Sequence, residues 1–272
     1  MPYDKIMHSP SLHSSHRSAF TLVELALVIV IIGLLVGGVI VGQMLIENAA
    51  SRATVAQLET YNAGVTTFRT KNQGIPGDLS AMRTAKVGLT TRAGSLGRGD
   101  GNSIIQNGPM LLAQQGLGHE TALFWRDLWN LNLIPNALAN ASDAPAASIT
   151  TAAITEWLPP AKIRSTSYFH VYAFAGRHYM YVGGLGTAPT DANGTLSLAD
   201  GLTPQDAFNL DEKLDDGMGN SGTILAITAL ATHAIDTGAG GNGECLSATN
   251  QYNSDGGDGS TIACRITIRT SF

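Results

Sequence analysis

Charged side chains are scarce in this sequence, and positively charged ones never gather into a run. Of 272 residues, 16 are Lys or Arg and 21 are Asp or Glu, so the formal net charge is −5. Proteins that mainly bind nucleic acid usually carry a basic patch or stripe. The lack of a basic run argues against nucleic-acid binding as the main function. A surface so poor in charge suits a secreted, closely packed assembly better than a cytosolic enzyme.

The motifs of common enzyme classes are missing as well. The sequence has no Walker loop, no His-Glu-x-x-His zinc motif and no Gly-x-Ser-x-Gly nucleophile elbow. The histidines are scattered, without a nearby cysteine or a fixed acidic partner. We therefore expect no enzymatic activity and no catalytic residues.

One long segment lacks charge entirely. Residues 25–41 contain neither a charged nor a hydrogen-bonding side chain, and the mostly apolar segment extends over residues 20–46. A helix of that length is about 40 Å long, more than the roughly 30 Å of a bilayer core. The segment is predicted to be a transmembrane helix. Lys5 and Arg17 precede it, and by the positive-inside tendency they keep the amino-terminal end in the cytoplasm.

A removable secretory signal is the main alternative for this segment. Such a signal has an apolar core of only about 7 to 15 residues, followed by a small-residue cleavage site. Here the run is longer, and it continues without such a site into the helix-forming residues 47–52. The sequence therefore favours a retained span.

A single acidic residue, Glu24, stands at the front of the span. The stretch Ala19-Phe20-Thr21-Leu22-Val23-Glu24 resembles the processing signal of type IV prepilins and type II secretion pseudopilins, whose usual form is Gly-Phe-Thr-Leu, a branched aliphatic residue and Glu. The resemblance implies that a prepilin peptidase cuts between Ala19 and Phe20 and methylates the new amino terminus. Ala19 departs from the usual glycine but is also small, so slower processing rather than none is expected.

The resemblance also implies a role for Glu24. A carboxylate within a membrane costs about 2.5 to 3.5 kcal/mol on insertion scales, so it is retained where it has a partner and a function. In the family the equivalent glutamate pairs with the amino terminus of a neighbouring subunit during filament assembly. The alternative is an acid that merely favours the helix start through the macrodipole, by about 0.3 to 1 kcal/mol. That alternative leaves the neighbouring Phe-Thr-Leu pattern unexplained.

The implied function is that of a structural subunit of a type IV pilus or a type II secretion pseudopilus. The expected partners are the prepilin peptidase, identical or related pilin subunits and an inner-membrane assembly platform. The expected location is the bacterial inner membrane before assembly and a periplasmic or extracellular filament afterwards. The alternative is a membrane-anchored periplasmic enzyme or binding protein that uses the helix only as a tether.

The remaining sequence predicts an α+β fold in which the long helix packs on an antiparallel sheet of about four strands, and the resemblance implies that this architecture is pilin-like. Val55, Leu58, Tyr61, Val65 and Phe68 recur every three or four residues, so one face of the helix can pack on a domain. Loops are expected at residues 74–88 and 94–109, a second amphipathic helix at 119–134, an irregular connection at 136–162, a β-hairpin about Gly176, and strands at 221–233 and 261–269. The predicted divisions are a leader (1–19), a transmembrane or filament-core helix (20–46), an amphipathic stalk helix (47–73), a helical and loop region (74–165) and a sheet with a disulfide loop (166–272).

The sequence contains two cysteines, Cys245 and Cys264, both beyond the membrane in this topology. An even pair in an oxidising compartment is most simply a disulfide, although metal ligation by the two thiols is an alternative. A carboxy-terminal disulfide loop is also common in type IV pilins. Strict alternation places Ile262, Cys264, Ile266 and Ile268 on one face of a predicted half-buried strand.

An acidic cluster lies in residues 203–223, which predict a Thr-capped, Pro-started helix ending at Gly217. Asp211 and Asp215 would share one helical face, with Asp216 and Asn220 in the turn beyond. Oxygen ligands at this spacing suit Ca²⁺, and several pseudopilins carry a calcium site near the carboxy-terminal part of the fold. A solvated helix face or a capping turn is the alternative, and both interpretations stay open. Ca²⁺ is the only cofactor that the sequence suggests.

Overall fold

The computed structural model of the protein describes residues 21–107, 116–138, 142–143, 151–186, 198–229, 233–237, 245–253 and 261–272. The described residues up to Leu45 form one compact unit and those from Ile46 form another. The helices are α1 (Leu22–Asn72), α2 (Ala81–Val87), α3 (His119–Asn130) and α4 (Pro204–Leu214), with a 3₁₀ helix at Thr151–Glu156. The strands are β1 (Ser167–Phe174), β2 (Arg177–Leu185), β3 (Leu198–Ala199), β4 (Ile224–Ala229), β5 (Ala234–Ile235) and β6 (Ile266–Arg269).

The part of α1 that lies in the first unit, up to Leu45, is apolar and exposed. Its large apolar side chains from Leu22 to Leu45 are between 48% and 86% exposed. By length and composition α1 could cross a membrane, and the apolar part that would do so buries nothing inside the protein. A transmembrane-capable helix at the predicted position is therefore present.

In the second unit the last turns of α1 belong to the core. Leu58, Tyr61, Val65 and Phe68 are buried, so the predicted apolar face is confirmed. The Tyr61 ring lies 5.1 Å from that of Trp125 on α3 and 5.3 Å from that of Phe169 on β1, both edge to face. The helix ends at Asn72, close to the predicted end.

The strands form an antiparallel sheet in the order β1-β2-β6-β4-β5, with β3 paired to β2. Ala175 and Gly176 have positive φ angles of 48° and 74° and join β1 to β2, so the hairpin predicted about Gly176 is confirmed. Strand β6 pairs with both β2 and β4, where Ile268 lies opposite Met180 on one side and Ile224 on the other. The α+β class is confirmed.

The disulfide between Cys245 and Cys264 is present and closes a loop with a sequence separation of 19. Cys264 is fully buried and pairs through its backbone with Leu202, just before α4. On the chain-entropy model such a loop closure stabilises the fold by about 3 kcal/mol. Both cysteines belong to the main hydrophobic core, so the bond joins the segment that begins at Cys245 to the core beside Leu202.

Four predictions about local structure were wrong. Residues 81–87 form α2 rather than a loop, because the breakers cluster at residues 74–77 and Gly88 caps the helix in the left-handed conformation (φ 76°). Helix α3 ends at Asn130 instead of residue 134.

Strand β6 begins only at Ile266, and Ile262 is 44% exposed rather than on the buried face. Helix α4 ends at Leu214 rather than Gly217, because Asp215 leaves helical geometry (φ −149°, ψ −131°).

Candidate functional site

The predicted processing residues Ala19 and Phe20 lie outside the described residues. The third residue of interest, Glu24, lies in the first turn of α1. It is the single charged residue between Thr21 and Ile46, and its side chain is exposed. Glu24 therefore supplies the only charged side chain in the apolar part of the helix.

Glu24 and Thr21 form a reciprocal capping box. The Thr21 backbone N–H and hydroxyl both donate to Oε2 of Glu24, at 2.9 and 3.0 Å, and the Glu24 N–H donates to the Thr21 hydroxyl at 3.2 Å. The N–H groups at the start of a helix have no carbonyl acceptor within the helix, and this arrangement provides acceptors for those of Thr21 and Glu24. Within the part of the chain that the structure describes, Oε1 of Glu24 accepts no hydrogen bond, so one carboxylate oxygen remains available to another partner.

The sequence signal for this box is the pattern Thr-x-x-Glu ahead of an apolar run. The box is a role for Glu24 additional to the two considered above, a paired acid and a partner of the helix macrodipole. The box assigns Thr21 a local role that is independent of processing.

Three of the predicted calcium residues lie together, since Asp211, Asp215 and Asp216 each have a carboxylate oxygen within 4.8 Å of the others. The fourth, Asn220, is half-buried in the turn between α4 and β4. Helix α4 brings Asp211 to this place, and it starts as predicted, with Pro204 in its first turn and a capping box between Thr203 and Asp206. Because α4 ends at Leu214, Asp215 and Asp216 approach Asp211 from the following turn rather than from one helical face.

Each of these carboxylates also has a hydrogen-bonding role within the fold. Asp211 is fully buried and accepts the Tyr252 hydroxyl at 2.7 Å and the Gly217 N–H at 3.1 Å. Asp215 accepts the backbone N–H groups of Thr223 and Ile224, where β4 begins. Binding of a hard cation and fixing of this turn are therefore both compatible with the geometry, and the calcium role stays a prediction.

The pKa values of Asp211 and Asp216 are shifted in opposite directions. Burial raises the pKa of Asp211, and the charges of Asp216 and Asp215 add to the increase, against the lowering effect of the Tyr252 and Gly217 hydrogen bonds. Hydrogen bonds from the Met218 N–H and the Ser221 hydroxyl lower the pKa of Asp216. The exposed Asp216 thus stays ionised more readily than the buried Asp211.

A second group of acids was not predicted. Asp78, Asp100 and Glu120 each place a carboxylate oxygen within 4.8 Å of the others, and we call them the carboxylate cluster. Asp78 precedes α2, Asp100 lies in the predicted loop at 94–109, and Glu120 is in the first turn of α3. No local pattern links residues so far apart in sequence, so only the tertiary fold reveals the cluster.

Polar cavities adjoin this cluster. A cavity of about 180 Å³ is lined by Asp78, Asp100, Ser80 and Arg83. A larger one of about 440 Å³ lies beside it along the last turns of α1, where Thr66 and Arg69 contribute to its lining. The two share Gln73, Gly74 and Ser103. Solvent therefore has a route to Asp78 and Asp100.

No family model, no curated protein and no solved structure matches this chain. The features that bear on function are thus those of the chain itself: the signal around Phe20 and Glu24, the exposed apolar helix, and the two groups of carboxylates.

Proposed function

We propose that this chain is a structural subunit of a type IV pilus or a type II secretion pseudopilus. In this proposal a prepilin peptidase cuts between Ala19 and Phe20 and methylates Phe20, and the subunit then polymerises through its amino-terminal helix. The supporting observation is one continuous arrangement. The sequence Phe20-Thr21-Leu22-Val23-Glu24 runs directly into a charge-free exposed helix, and the same helix continues to Asn72 with its last turns buried.

The exposed helix needs a nonaqueous environment. Apolar surface in contact with water costs about 25 cal/mol for each Å², and contiguous exposed apolar patches of this size mark membrane or protein contacts. A bilayer supplies such an environment before assembly, and the helices of neighbouring subunits supply it afterwards. Residues 25–46 suit both environments because they contain no charge.

The charge of Glu24 has a different energetic cost in the lipid bilayer and in the assembled filament. In lipid its charge is costly, and the Thr21 box provides hydrogen bonds without neutralising that charge. Cleavage after Ala19 would create an amine on Phe20, which is the closest positive group that the proposal offers. A pair between this amine on one subunit and Oε1 of Glu24 on the next would favour the assembled state over the isolated subunit in lipid.

The proposed partners follow from this scheme. They are the peptidase, further pilin subunits and an assembly platform in the inner membrane. The larger unit from Ile46 onward would face outward, and its disulfide fits an oxidising compartment. No enzymatic role is part of the proposal.

Mass spectrometry of the intact protein purified from its native cells tests the processing step. We expect a chain that begins at Phe20 and carries one added methyl group. A matched preparation from cells without prepilin peptidase should begin at Met1. An unmethylated chain with Met1 or a different cut in both preparations would instead favour the membrane-tethered enzyme or binding protein.

A further inference from the structure

A loop in the second unit is attached mainly through side chains that titrate. Five backbone N–H groups of residues 97–107, which we call the 97–107 loop, donate to just three side chains, Asp78, Glu120 and His178. The donor to acceptor distances lie between 2.6 and 3.2 Å, and the donors are Gly99 and Gln106 to Glu120, Gly101 and Ser103 to Asp78, and Ile105 to His178. Three separate parts of the fold, namely the segment before α2, helix α3 and strand β2, therefore hold this loop.

The two acids that hold the loop are buried close to a third. Glu120 is 0% exposed and Asp78 is 2% exposed. Asp100, which belongs to the loop itself, places a carboxylate oxygen within 4.8 Å of those of Asp78 and Glu120. Like charges this close together disfavour ionisation of all three groups at once.

The basic groups around the cluster are engaged elsewhere. Arg92 is fully buried but pairs with Asp127 at 2.7 Å. Arg83 donates to the backbone oxygen of Gln73, and Arg98 pairs with Asp143. Over the described ranges, no cation forms a salt bridge with Asp78, Asp100 or Glu120.

His178 does not supply a positive charge either. Its Nε2 accepts the Ile105 N–H, so its hydrogen is on Nδ1, which donates to the Phe272 backbone oxygen at 2.7 Å. Burial lowers the pKa of His178, and the charge of Arg69 lowers it further. The imidazole is therefore neutral at neutral pH, and the cluster has to be neutralised in another way.

Burial and mutual repulsion both favour protonation of the cluster. Burial raises the pKa of Glu120 to about 9, with the charge of Asp78 as the next contribution. Burial also raises the pKa of Asp78 to about 6, against the lowering effect of the hydrogen bonds from Gly101 and Ser103. Because the three groups interact, the retained proton belongs to the cluster rather than to one residue.

We propose that the carboxylate cluster holds at least one proton at neutral pH and that loss of this proton at alkaline pH weakens the attachment of the 97–107 loop. The adjoining cavity gives water access to Asp78 and Asp100, so the proton exchanges with the surrounding medium. The loop is thus a pH-sensitive element of the second unit. This proposal is independent of the proposed filament function.

The sign of the effect follows from linkage. An unfolded Glu titrates near pH 4.3, so between that value and about pH 9 the folded chain binds more protons than the unfolded chain. Stability must then fall as the pH rises. Buried histidines act in the opposite direction but only below about pH 6.5, and tyrosines titrate at about pH 10 or above. Between pH 7 and pH 9, the pH dependence of stability therefore reports on the carboxylate cluster rather than on histidines or tyrosines.

The test is unfolding of the full chain in detergent micelles by guanidinium chloride, followed by tryptophan fluorescence, in buffers that contain a chelator. Between pH 7 and pH 9 we expect the unfolding equilibrium constant to rise by up to about tenfold for each pH unit. Glu120→Gln should remove this dependence. The exposed Glu59→Gln is the matched control and should keep it.

A flat wild-type profile over this window, or an unchanged slope in Glu120→Gln, would overturn the proposal. So would a large stabilisation by millimolar Ca²⁺ that Glu120→Gln abolishes, because the cluster would then be neutralised by a cation. If Glu120→Gln does not fold, infrared spectra of the wild-type chain provide the readout. We expect the band of a protonated carboxyl group at pH 7 and its decrease as the pH approaches and passes 9, and its absence at pH 7 would contradict the proposal.

Discussion

The Thr21 hydroxyl accepts a hydrogen bond from the Glu24 N–H at 3.2 Å while the Glu24 carboxylate accepts two from Thr21. This pair fixes the first turn of α1 and orients the one charged side chain in the apolar part of that helix. Removal of an amino-terminal cap costs a helix about 1 kcal/mol. The start of α1 should therefore depend on Thr21 whether or not the chain assembles.

Thr21→Val tests this dependence, since it keeps the shape of the side chain and removes the hydroxyl. We expect hydrogen exchange at the amides of residues 24 and 25 to accelerate by about fivefold in micelles, in line with a loss of about 1 kcal/mol. Thr21→Ser retains the hydroxyl and should exchange like the wild type. Equal protection in all three proteins would show that the box does not stabilise the helix start.

The junction of α1 with the second unit depends on Tyr61. Its ring is fully buried against Trp125 and Phe169, and its hydroxyl donates to Asn136 at 3.0 Å. Tyr61→Ala should lower the free energy of unfolding by about 3 to 5 kcal/mol, as large-to-small changes of aromatic core residues do. Tyr61→Phe keeps the ring and should lower it by only about 1 kcal/mol.

Denaturant unfolding followed by tryptophan fluorescence measures both variants, since Trp125 lies next to the altered ring. The two losses should differ clearly. A Tyr61→Ala protein as stable as Tyr61→Phe would mean that the last turns of α1 contribute little to the core.

The calcium prediction for Asp211, Asp215, Asp216 and Asn220 can be tested by thermal unfolding. An ion that binds only the folded chain stabilises it by about 2.7 kcal/mol at one hundred times its dissociation constant. If the site binds Ca²⁺, the unfolding midpoint should rise when Ca²⁺ is added to chelator-treated protein. Asp216→Asn alters the exposed acid of the group and should reduce the increase.

Glu120→Gln is the control for this experiment, because it alters the carboxylate cluster and leaves the predicted site intact. It should respond to Ca²⁺ like the wild type. An unchanged midpoint in the wild-type chain would contradict the calcium prediction and leave Asp211 and Asp215 as residues that fix the turn between α4 and β4.

The sequence predicted those parts of the structure that depend on local patterns. Spacing of three and four residues identified the buried face around Tyr61, the aromatic runs on either side of Gly176 predicted the hairpin, and the two cysteines predicted the disulfide. The first two signals each lie within a short stretch of chain. The disulfide could be predicted because the chain has only two cysteines, so each has only the other to pair with.

The missed features depend on contacts between distant segments. Asp78 and Glu120 are 42 positions apart, and only the packing of α3 beside the segment before α2 brings their carboxylates together. Glycine and proline at residues 74–77 predict a loop over the whole segment, but they only precede helix α2 and do not interrupt it. The end of α4 was misplaced because Asp215, rather than Gly217, departs from helical geometry first.

The filament proposal makes a sharp distinction between two acids of α1. Glu24 lies in the apolar part of the helix and Glu47 follows directly after it, and both are exposed. Only Glu24 should be required for assembly, because only its charge would need a partner in lipid. Membrane insertion itself should tolerate the loss of either acid.

The most direct measurement is therefore the yield of sheared or detergent-extracted filaments from native cells that express Glu24→Ala or Glu47→Ala, with the membrane-bound subunit measured in parallel. The account predicts that Glu24→Ala leaves the subunit in the membrane and abolishes filaments, while Glu47→Ala assembles normally. Normal filaments from Glu24→Ala, or no filaments from the wild-type chain, would contradict it.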